Sequence, residues 1–196
     1  MKKVKGLLAL VLALMLVFSL AGCGEVKKAE AAVVGMFDCV KAGDLDGFAE
    51  YCGKKDFTAN LEGAAGEMVA SVFKKTEYEI VSSELQEDGS VIVKTKITSI
   101  DMKPVVTDWV TDYMQFALVT AFSGQSLSDE EIQQKMAELF EASMEEKGTE
   151  KVTKTVDIKV VENADGEWEI EGTTELFSAV SGNLADEMSS ATSSLS

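Results

Sequence analysis

The stretch that decides the fold is EYEIVSSELQEDGSVIVKTKITSI, Glu77 to Ile100. Two runs rich in Val, Ile and Thr, Glu77–Leu85 and Ser90–Ile100, flank Glu87-Asp88-Gly89. β-Branched residues suit a pleated, half-buried surface and Asp-Gly marks a tight reversal, so the stretch reads as an antiparallel hairpin. In its second run Val91, Val93, Thr95 and Ile97 share one face, against Lys94 and Lys96 on the other. One face of the resulting sheet is expected to be covered and the other wet.

A second hairpin is spelled out downstream. Val156, Ile158 and Val160 alternate with Asp157 and Lys159, Asn163-Ala164-Asp165-Gly166 makes the turn, and Trp168 and Ile170 alternate with acids. Helical spacing governs the rest. Val33, Met36, Phe37 and Val40 mark a helix over residues 29–41, and Asp44 is placed to cap a short one carrying Leu45, Phe48 and Tyr51. A third helix is expected over about 60–75 and a last one over 174–184, with a serine-rich disordered tail from 185 to 196. Between the hairpins, Pro104 opens a helical insert over 104–147. From Val105 to Phe122 it is apolar on nearly every side, so it is expected to be buried or covered. Ser128 and Glu131 have capping-box spacing at the start of the next helix. The fold class is therefore α+β.

Composition excludes several chemistries. The 196 residues hold 18 basic side chains, all lysine, 34 acids and no histidine, for a formal charge of −16. Without histidine there is no imidazole triad, ligand or proton shuttle, and without arginine no bidentate phosphate clamp. A surface this acidic repels nucleic acid. Asp44-Leu45-Asp46-Gly47 and Asn163-Ala164-Asp165-Gly166 lack the glycine and glutamate positions of a calcium loop, and no metal or cofactor is expected. With so many acids, no one carboxylate pair stands out as catalytic. Outside the membrane, Cys39 and Cys52 could form a disulfide, but small buried thiols are ordinary core residues and the chain has no disulfide-dense pattern. Two thiols are expected.

The N-terminus carries an address. Lys2, Lys3 and Lys5 precede an apolar run from Gly6 to Leu20, about right for a signal peptide and short for a membrane span. The run ends at Leu20-Ala21-Gly22-Cys23, which resembles the bacterial lipobox. That resemblance implies cleavage after residue 22, a diacylglycerol on Cys23, a tether over 23–29 and an extracytoplasmic protein on the cell membrane. Loss of residues 1–22, with three lysines and no acid, takes the formal charge to −19. Anionic lipid then offers no electrostatic attraction, so the acyl chains hold the protein.

The helix ending in Lys41-Ala42-Gly43-Asp44, the short helix after it and the hairpin Asp165-Gly166-Glu167-Trp168-Glu169-Ile170 resemble a nuclear transport factor 2-like (cystatin-like) domain of bacterial lipoproteins. The resemblance implies one domain over 30–184: a curved antiparallel sheet of about four strands, helices packed on its concave face, and an apolar pocket. The insert over 104–147 departs from the family and is placed either to fill that pocket as core or to lid it; as a lid it makes Trp109, Tyr113, Phe116 and Trp168 the candidate lining. A non-enzymatic module holding an apolar small molecule or a protein partner is the expected function. The alternatives are a structural module whose pocket is filled by its own side chains, and a small isomerase- or dehydratase-like acid–base enzyme using a buried carboxylate with Tyr51, Tyr78 or Tyr113. No catalytic motif of the family matches here, so no catalytic residue is assigned.

Overall fold

A computed structural model describes residues 24–53, 63–124 and 126–193. The expected signal sequence over 1–22, Cys23 and residues 60–62 of the expected third helix lie outside them. The chain is α+β, and its four strands form one antiparallel sheet in the order β1 (Glu77–Leu85), β2 (Val91–Ile100), β3 (Lys151–Glu162), β4 (Trp168–Ile170). Sequence neighbours are sheet neighbours throughout, so the sheet is a meander whose β2–β3 connection has grown into a helical hairpin.

Register follows the alternation in the sequence. Val91 faces Val160, Val93 faces Ile158 and Thr95 faces Val156, all on the buried side. Each pair removes two β-branched side chains from water on the same face. The opposite face carries Lys94 beside Asp157 at 3.6 Å and Lys96 beside Glu79 at 3.9 Å. These exposed pairs contribute little to stability. At the second turn the Asn163 side-chain oxygen accepts from the backbone N–H groups of Asp165 and Glu167, both at 3.0 Å.

Helices cover the apolar face. Helix α1 (residues 24–42) lays Val33, Met36, Phe37 and Val40 into the core, and Phe37 stacks on Tyr78 of β1 with centroids 4.1 Å apart. Asp44 caps α2 (Leu45–Tyr51) by accepting from the Gly47 N–H at 2.9 Å. Helix α3 (Ala64–Phe73) adds Val69, Val72 and Phe73, and α6 (Thr174–Val180) adds Leu176 and Val180. Two buried hydroxyls lock α6 down: Thr76 donates to the Val180 carbonyl and Ser99 to that of Ala179, each at 2.8 Å.

Three expectations are corrected at the ends of elements. The tether over 23–29 is not slack beyond residue 23: α1 is helical from residue 24, and Ala29 is already buried. Residues 174–184 are not one helix, because Gly182 and Asn183 adopt left-handed backbone (φ +61° and +67°). The chain turns there while the Gly182 carbonyl accepts from the Met102 N–H. The tail from 185 is not disordered over its described length. It continues as α7 (Leu184–Ser193), held by the buried Leu184 and by Met188 packed against the core. Serine composition predicted the wrong state because one apolar stripe, docked on a ready-made surface, outweighs it.

The insert is a helical hairpin of α4 (Met102–Ser123) and α5 (Asp129–Lys147). Asp101 caps α4, and Pro104 falls in its first turn, where no intrahelical donor is missed. The capping box of α5 is present, with Ser128 and Glu131 bonded to each other's backbone N–H. Burial of α4 is where the expectation fails. Met102, Val105, Val106 and Trp109 are in the core, but Met114, Leu118, Val119 and Phe122 are 44%, 55%, 68% and 88% exposed. Only the first half of the helix is core; the second runs out past the body with α5 along one side.

Candidate functional site

A sizeable apolar space lies between helices rather than in the hollow of the sheet. It is a cleft of about 400 Å³, open on one side. Helix α3 supplies Ala64, Ala65 and Met68, α5 supplies Gln133 and Met136, and α7 supplies Leu184, Ala185 and Met188. Val69 of α3, Trp109 of α4 and Phe177 of α6 complete the lining. The volume falls in the range of small-molecule sites, roughly 300–1,000 Å³.

The local reasons for this space are legible residue by residue. Alanines 64 and 65 at the start of α3 are too small to close the gap to α5. Three methionines reach in from three helices, and an unbranched thioether adapts its shape to what it touches. Trp109 is 4% exposed and meets the edge of Phe140 at 5.9 Å, with rings nearly perpendicular. Its indole N–H donates to the Met136 carbonyl at 2.9 Å, so the ring offers only carbon to the cleft. Among the described lining residues none is titratable, and Gln133 alone is polar in its side chain.

Of the four residues singled out in the sequence, Trp109 lines the cleft. Tyr113 and Phe116 sit farther out on α4, half-buried and tilted against each other at 6.5 Å, and take no part in it. Trp168 lies in a separate open groove with Glu50, Tyr51, Asn163, Glu167 and Glu169. Its own indole N–H is buried without a partner. The candidate tyrosines are dispersed as well. Tyr51 borders that groove, and Tyr78 is stacked on Phe37 with the Lys41 ammonium 4.7 Å from its ring centre. Burial, with Asp38 nearby, raises the Tyr78 phenol above its ordinary range.

Cys39 and Cys52 are both thiols, Cys39 half-buried on α1 and Cys52 buried at the end of α2. Burial, followed by the charges of Asp44, Asp38 and Glu50, pushes the Cys39 thiol up and keeps it protonated at neutral pH. No cluster of metal-ligating side chains occurs among the described residues, and no helix among them is long and apolar enough to cross a membrane.

Of the lining residues sequence reading named Trp109 alone; among those it missed, Met68, Met136 and Met188 are the most telling. Each stands on an apolar stripe, but nothing local tells that the three stripes converge.

No family model and no curated protein matches the chain. Among solved structures, a candidate lipoprotein of Bacillus subtilis, ycdA, is similar at 17% identity and a TM-score of 0.43. The match covers 68% of this chain and 42% of that one. A likeness this distant carries no conclusion about ligand, partner or activity.

Proposed function

We propose that the protein is an extracytoplasmic lipoprotein, anchored through Cys23, that binds a small apolar molecule in the α3–α5–α7 cleft without catalysing a reaction on it. The observation that carries this reading is the lining of the cleft: carbon and thioether surface with one neutral amide, Gln133, and no acid, base or nucleophile among the described lining residues. Acid–base chemistry needs a titratable group within hydrogen-bond reach of the bound molecule. The signal sequence and lipobox-like Leu20-Ala21-Gly22-Cys23 support the anchor. Helix α1 starts at residue 24 and is buried by Ala29, six residues after Cys23. At 1.5 Å per helical residue that is about 9 Å, so the lipid would hold the body close to the bilayer.

Two measurements test the reading. The Cys23→Ser protein should lose its acyl label and its partition into detergent; unchanged membrane association after removal of peripheral proteins overturns the anchor. A neutral fluorescent probe, N-phenyl-1-naphthylamine, should bind saturably to the parent at one site. Ala65→Trp, which fills the cleft from its exposed edge, should abolish that binding with the fold intact by circular dichroism. Equal binding by the filled variant would place the probe elsewhere and end the cleft as the site.

A further inference from the structure

We propose that the cleft selects its ligand by charge: it takes a hydrocarbon or aryl group whose polar end is neutral or cationic, and it rejects the same group bearing an anion. The inference rests on the reading that the cleft is a ligand site, and it adds the chemical class of the occupant.

The interior fixes the first half. The lining is apolar, and a charge drawn against it would lose hydration with no partner to replace it. The Trp109 N–H is already committed to the Met136 carbonyl. Gln133 is therefore the one lining side chain able to hydrogen-bond, and it offers both a donor and an acceptor to a neutral polar group. Whatever enters must do so carbon first, with its polar end toward Gln133 or out in water.

The surroundings fix the second half. Gln133 lies one helical turn after Asp129 and Glu130, at the i+4 and i+3 spacings that share a helix face. Across the cleft, Glu187 stands three residues from Leu184 and next to Met188 on α7. Neither α3 nor α7 carries a lysine within it, Lys74 following the far end of α3, and the lysines of α5 are paired, Lys135 with Glu138 at 2.9 Å and Lys147 with Glu146 at 2.6 Å. Asp186, a further carboxylate on α7, accepts from the Ser178 hydroxyl at 3.2 Å. The positive end of the α5 dipole is already met by Asp129, Glu130 and Glu131 in its first turn. An anionic head leaving the cleft at Gln133 would meet carboxylates, and a cationic one would be welcomed.

The test uses a matched pair on the full mature chain: N-phenyl-1-naphthylamine, and 8-anilinonaphthalene-1-sulfonate, which has the same aryl skeleton plus a sulfonate. At low salt the sulfonate should bind about tenfold more weakly, the sum of a few exposed charge contacts. The gap should shrink as ionic strength rises. The double variant Glu130→Lys with Glu187→Lys should close or reverse the gap while leaving the neutral probe unchanged. Equal affinities in the parent, or a gap untouched by the double variant, overturn the charge selection and leave the cleft as a site. Failure of both probes to bind overturns the underlying reading instead.

Discussion

Trp109 is the residue on which the body, the hairpin and the cleft meet, and its replacement by alanine gives the sharpest test of the architecture. The indole is 4% exposed, packs edge-on against Phe140, and bonds the Met136 carbonyl of the neighbouring helix. Truncation of a buried Trp costs about 3–5 kcal/mol. The upper half of that range applies here, because the void would open into the existing cleft instead of collapsing. Trp109→Phe separates the contributions. It keeps a ring against Phe140 and loses the donor, whose net worth is about 1 kcal/mol. The Met136 carbonyl keeps its place in the α5 ladder, so the phenylalanine variant should lose only about 1–2 kcal/mol. Phe116→Ala, seven residues along the same helix and half-buried, should lose less than Trp109→Ala. Urea unfolding followed by far-ultraviolet circular dichroism reads all three, provided the slopes agree. A Trp109→Ala loss below about 1 kcal/mol, or a Phe116→Ala loss that matches it, would refute the division of α4 into a core half and an outer half.

Gly182→Ala should be among the most damaging single changes: its backbone is left-handed at φ +61°, and a methyl there would run into the Ile100 carbonyl. About 2 kcal/mol or more is expected from strain alone, read as a lowered urea midpoint. Ser128→Ala should cost about 1 kcal/mol by removing the α5 cap, and thermal melts check it. The same cap makes stability pH-dependent. Glu131 is held below the ordinary glutamate range by the Ser128 backbone N–H and then its hydroxyl, as Asp88 is by Ser90 and Glu77 by Lys151. A carboxylate whose pKa is depressed by folding contributes fully above its unfolded value and loses that contribution as pH falls through the folded one. Stability should therefore be flat from neutral pH to about 5 and decline below the usual carboxylate range. In Ser128→Ala that acid decline should be shallower, and an identical pH profile would count against the cap.

Local patterns told most of what can be told within one turn or one strand. The β-branched run from Val91 to Ile97 showed its buried face because side chains alternate with a period of two whatever lies beyond. Asp44, Ser128 and the turn at Asn163–Gly166 were legible because caps and turns are made by residues three or four apart. The same locality explains the failures. Periodicity shows which face of α4 is apolar but not how far along its length a partner extends, so Val119 and Phe122 read like Val105 and Val106 and ended in water. The serines of α7 speak for disorder until Leu184 and Met188 find a surface assembled from residues a hundred positions away. The cleft is the extreme case. It is the space left between α3, α5 and α7, and packing alone decides that Met68, Met136 and Met188, about 70 and then about 50 residues apart, line one space. The sequence determined the strands, the turns, the caps and the lipobox-like address, because each is written within a few neighbouring residues. Only the tertiary structure decided where the apolar stripes meet and where they fall short of meeting, because a void belongs to no residue.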